Sequence, residues 1–142
     1  MNRLLKELEQ WGADPSTAIS RMSGDEALYL ELFRKTMKSG DFLSLEEAMD
    51  REDYPAAFRV VHKMKGASGM LYLEPLSRIL SLLTEYLRPY YEEQNGSGNP
   101  GGRPEAGTDT GKLKEAMEEL RELCARLQGM AARDSRAAEG GG

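Results

Sequence analysis

The stretch Leu73–Arg88, LEPLSRILSLLTEYLR, decides the fold class. Leu76, Ile79, Leu80, Leu83, Tyr86 and Leu87 recur at intervals of three and four, the spacing of one face of an α-helix. Pro75 suits the first turn, where a missing N–H removes no hydrogen bond. Upstream, Leu71 to Glu74 reads as a turn, and downstream Pro89 ends or kinks the helix. A helix with one apolar stripe is not stable alone, so this segment requires partners.

The same period supplies them. Leu4, Leu5, Leu8 and Trp11 mark a first amphipathic segment. Asp14-Pro15 is an N-cap followed by proline, opening a short helix through Ile19 and Met22 that stops at Gly24. Asp25 and Glu26 open a helix through Leu28, Leu32 and Phe33 to Ser39, with Gly40 as its stop. Asp41 caps a helix carrying Phe42, Leu45, Ala48 and Met49. Asp53 and Pro55 begin the helix that holds His62. A last strong helix carries Leu113, Ala116, Met117, Leu120, Leu123, Cys124 and Leu127. No segment alternates with the period of a strand. The expectation is an all-α protein: an antiparallel four-helix bundle core with additional short N-terminal helices. Residues 1–128 form the bundle. Residues 94–111, rich in Gly and Pro, are a flexible inserted loop, and 129–142 form a disordered tail.

Composition narrows the function. The 142 residues carry a net charge of -5, which disfavours nucleic acid or an anionic membrane as partner. One cysteine, Cys124, excludes an internal disulfide and fits a reducing compartment; its place on an apolar face makes it a small buried hydrophobe. No apolar run approaches the roughly 20 residues that span a bilayer, and the charged start MNRLLKELEQW lacks the core of a signal peptide. A cytoplasmic protein is expected. The acids Glu46, Glu47, Asp50, Glu52 and Asp53 match no calcium-loop spacing and read as a solvated helix face.

His62 is the sole histidine, within FRVVHKMKGASGM (Phe58–Met70). On a helix advancing about 100° per residue, Val60, Met64, Leu71, Ala57 and Ser68 gather on one side and His62 falls near the opposite side. Gly66, Gly69, Phe58 and Pro55 lie within roughly 40° of it, and Lys65 and Arg59 about 60° to either side. Each helical glycine costs about 0.8–1 kcal/mol relative to alanine, so two of them need a reason. Close packing against a neighbouring helix is one. Their place off the apolar side favours another: clearance for a partner that approaches the imidazole, with Phe58 as an apolar contact. A lone neutral imidazole is a nucleophile able to accept a phosphoryl group, whose charge Lys65 and Arg59 would balance. It cannot form a multi-histidine metal site, and no local motif completes a hydrolytic triad.

The string VHKMKGASG, with Lys65 and Gly66 three and four positions after His62 and Gly69 beyond, resembles the histidine-containing phosphotransfer (HPt) domains of bacterial phosphorelays. GDEALYLELFRK resembles the family's opening helix, REDYPAAFRVV the lead-in to its active helix, and LEPLSRILSLLTEYLR the helix after it. The resemblance covers about residues 10 to 128. It implies that His62 is the phosphoacceptor, Lys65 the cation beside it, and Gly66 and Gly69 the positions that admit a response-regulator receiver domain. It implies a phosphocarrier, not an independent enzyme, acting with a receiver domain and a histidine kinase; a monomer is expected. No cofactor is expected on this chain, the Mg2+ belonging to the receiver. Many family members have glycine ten positions after the histidine; Tyr72 stands there instead and implies a different turn geometry. A bundle that docks receivers or kinases without being phosphorylated is the main alternative. A general-base enzyme and a detached phosphoacceptor domain of a chemotaxis-type kinase are further ones.

Overall fold

A computed structural model describes residues 2–92 and 110–140. Seven helices are described: α1 (Arg3–Trp11), α2 (Pro15–Arg21), α3 (Glu26–Lys38), α4 (Asp41–Asp50), α5 (Tyr54–Met70), α6 (Glu74–Glu92) and α7 (Thr110–Gly140). Three begin at aspartates that the sequence places at helix starts, Asp14 among them as a cap. Asp14, Asp25 and Asp53 accept hydrogen bonds from the main-chain N–H groups of Thr17, Leu28 and Ala56. Asp41 is different. It is the first helical residue of α4, behind Gly40, and makes no cap bond; its carboxylate instead takes the Lys63 ammonium at 3.1 Å.

Helices α5, α6 and α7 are three members of a four-helix bundle. The fourth side is shared by α3 and α4, which are broken apart at Ser39–Gly40 and follow one another antiparallel to α7. Two ion pairs fix that register: Arg34 of α3 with Asp134 at 2.6 Å, and Glu46 of α4 with Arg121. The interior holds Phe33, Leu45, Leu80, Leu83, Leu87, Leu120 and Leu127, all fully buried. Burying one such side chain contributes about 1.5–3 kcal/mol, which is why the stripes lock together although no helix stands alone. Cys124 is buried among them, as its apolar face requires. Burial, and secondarily the charge of Glu46, pushes its thiol up to about 12.

Of the two outcomes expected at Pro89, an end is excluded: α6 runs on to Glu92, with Tyr90 packed on Tyr54 and Tyr91 stacked on Phe58, each with ring centroids 4.4 Å apart. One boundary departs from expectation. The predicted tail from residue 129 is helical through Gly140. Met130 and Ala131 are buried there, and Arg133 bonds Glu7 at 3.0 Å, so this part of α7 docks on α1. Helix α1 buries Leu4, Leu5 and Leu8 in return. The inserted loop predicted over 94–111 lies outside the described residues up to 109, while Thr110 and Gly111 already belong to α7.

Candidate phosphotransfer site

Helix α5 is flanked by α4 on one side and α6 on the other. Ala57, Val61 and Ser68 are buried, Val60 and Met64 half-buried. The buried arc is therefore wider than the predicted apolar stripe and includes Val61. What stays exposed is a narrow line: Arg59, His62, Lys63, Gly66, Gly69 and Met70, spaced by three and four. His62 is on that line, as the spacing predicts, and among the described residues it makes no hydrogen bond. Lys65 is half-buried beside it. Neither Arg59 nor Lys65 has an ion-pair partner among the described residues, whereas Lys63 is held by Asp41.

The fold does not need the two glycines. A methyl group built on Gly66 or on Gly69 would meet nothing within 4 Å, so neither serves close helix packing. Ser68, between them in sequence, does the packing: its buried hydroxyl lies 2.8 Å from that of Ser77 on α6.

Phe58 requires a correction. It is predicted as an exposed apolar contact, but it is only 8% exposed, because Tyr91 of α6 stacks on its ring. Pro55 is buried as well. Phe58 still borders the site from below, its ring centroid 6.2 Å from that of His62. Together Phe58, Arg59, His62, Lys65, Thr84, Arg88, Tyr91 and Glu92 line a groove of about 450 Å³ between α5 and α6. The α6 residues of this groove are missed by reading α5 alone. The antiparallel register carries them there.

The turn that ends α5 is centred on Tyr72. Its φ is +55°, the left-handed conformation that glycine adopts most easily. The Tyr72 N–H donates to Gly69 and the Leu73 N–H to Ser68, closing the helix with a left-handed cap. Tyr72 thus adopts a conformation that glycine takes most easily, and α5 ends at Met70. The Arg21 guanidinium lies 5.8 Å from the Tyr72 ring centroid, and the Tyr72 carbonyl accepts from Asp14 N–H at 2.9 Å.

A family model of the Hpt domain matches residues 29–129, from α3 through most of α7. The chain belongs to the Hpt domain family. No curated protein and no solved structure matches it. Hpt domains are helical-bundle phosphocarriers of phosphorelays, acting with kinases and receiver domains. The matched span contains the whole exposed line of α5 and the groove. Helices α1 and α2 fall outside it, as does α7 from Met130 on, where Met130 and Ala131 are buried and Arg133 and Asp134 pair with Glu7 and Arg34. No described helix is long and apolar enough to cross a membrane.

Proposed function

We propose that His62 is the phosphoacceptor through which this Hpt domain relays a phosphoryl group between a histidine kinase or receiver domain and the aspartate of a response-regulator receiver. One observation carries the reading: His62 is exposed, free of hydrogen bonds among the described residues, and followed on its own line by two glycines with open space above them.

The step balances without further reagents. The lone pair of one ring nitrogen forms a P–N bond while the bond from phosphorus to the aspartyl oxygen breaks. The electron pair leaves with the carboxylate. The second ring nitrogen keeps its proton, so the product is a phosphoimidazolium. Transfer onward reverses these events on the next receiver. Lys65 and Arg59, which line the same groove as His62, would offset the charge of the phosphoryl oxygens. In this reading the receiver contributes the Mg2+ and the aspartate, and most of the electrostatic stabilisation arises in the complex. Gly66 and Gly69 let the receiver approach the α5 backbone.

The test is incubation with a phosphorylated receiver domain, or with an active histidine kinase and ATP. Wild-type protein acquires an acid-labile phosphate and His62→Gln acquires none. A wild type that binds receivers yet stays unlabelled would show a docking module instead.

A further inference from the structure

We propose that the seam between α4 and α7 docks a basic amphipathic helix of a partner protein. The seam does not depend on His62 being the acceptor. Helix α4 packs closely on α5 but only loosely on α7. The gap leaves a groove of about 530 Å³. Its floor is Leu113, Met49 and Met117, the two methionines half-buried, and Glu46, Asp50 and Glu118 stand on its rim. Methionine is unbranched and adapts to the shape it meets, so such a floor suits an incoming apolar side chain. Leu43, 60% exposed, lies three and seven positions before Glu46 and Asp50 and extends the same face of α4.

Charge selects the occupant. Glu46, Asp50, Glu52 and Glu118 line the groove against two cations, Lys114 and Arg121. Arg121 is already paired with Glu46, while Asp50 and Glu118 have no ion-pair partner among the described residues. Asp50 is also the last residue of α4, and no basic residue lies in that turn. A carboxylate at the negative end of a helix dipole opposes folding, so the fold alone does not ask for it there. Lysines or arginines flanking an apolar stripe would satisfy it. Among the described residues the carboxylates do not group as a metal site. A second copy of this chain, with its net charge of -5, would bring acid against acid.

The groove beside His62 has the opposite character, with Arg59, Lys65 and Arg88 against Glu92. The two grooves share no lining residue, so a helix held between α4 and α7 leaves His62 open. Such a tether raises the effective concentration of its protein at the phosphotransfer face.

The test uses the full-length protein and a fluorescent synthetic helix of about 18 residues, with leucines at three-four spacing and lysines on the flanks. Affinity is read by anisotropy, and the place of binding by the methionine methyl signals in NMR. Wild type and His62→Gln should bind alike, with shifts at Met49 and Met117 and none at Met70 on α5. Asp50→Ala should weaken binding about threefold to fivefold, while its thermal unfolding midpoint holds or rises. Asp50→Lys combined with Glu118→Lys should transfer the preference to a peptide with glutamates in place of the lysines. A reordered peptide of the same composition, without the apolar stripe, should bind at least about tenfold more weakly. Absence of saturable binding overturns the proposal, and so does equal binding of the reordered peptide, which would mean unspecific attraction. Shifts at Met70, or loss of binding in His62→Gln, also overturn it, by placing the peptide on the phosphotransfer face. Self-association of the free chain that Asp50→Lys abolishes would assign the seam to a second copy instead. None of these outcomes bears on whether His62 takes phosphate.

Discussion

The hydroxyl of Tyr29 donates a 2.7 Å hydrogen bond to the main-chain carbonyl of Leu71, both residues being fully buried. One side chain of α3 thereby holds the turn that ends the His62 helix. Tyr29→Phe keeps the ring and leaves that carbonyl without its donor. The expected loss is about 1–3 kcal/mol, read from denaturant unfolding, with the folded protein still phosphorylated.

Gly66 and Gly69 should separate stability from transfer. Alanine fits at both without contact, so Gly66→Ala should raise stability by up to about 1 kcal/mol, and Gly69→Ala by less because it lies in the last turn. Gly69→Gln should slow transfer from a phosphorylated receiver while the unfolding midpoint holds or rises. A variant that loses stability and transfer together would return the glycines to internal packing.

At Tyr72 the preference reverses. Its φ of +55° penalises any side chain, so Tyr72→Gly should be more stable than Tyr72→Ala by about 1 kcal/mol, since both lack the ring and differ only in backbone freedom. Unfolding of the two variants side by side checks this. The opposite ranking would mean that the turn relaxes once the ring is gone.

Alkaline pH should weaken the fold through Cys124. Its thiol is raised from 9.0 to about 12, first by burial and then by Glu46. Between those values the folded chain keeps a proton that the unfolded chain has lost. Stability is therefore fully present below about pH 9 and declines as pH rises towards 12. Tyr29 is displaced in the same direction by burial and then by Asp14, and adds to the decline. Cys124→Ala should flatten the slope of unfolding free energy against pH without abolishing it. An unchanged slope would refute a role for the thiol.

Much of this architecture was legible because its signals are local. The caps at Asp14, Asp25 and Asp53 and the three-four spacing of α6 each lie within one or two turns of the chain. The exposure of His62 followed from the same periodicity. What escaped depends on distant residues. Phe58 is covered by Tyr91, thirty-odd positions away, and Arg88 reaches the groove only through the α5–α6 register. Beyond Gln128 the signal is again distant: Arg133 and Asp134 pair with Glu7 and Arg34, at the other end of the sequence. At Tyr72 no local signal announces a left-handed residue, and the fold imposes it through contacts to α2 and the segment before it.

His62 is the middle residue of α5, eight positions from Tyr54 and eight from Met70. Helices fray from their ends, so the imidazole occupies the stiffest point of its own element. Amides around it should be among the last of α5 to exchange with solvent. A partner arriving there meets a surface already set, with no loop to fold and only side-chain rotations to restrict. Encounters of that kind can be brief and frequent, which suits a protein that must release one partner before it can serve the next.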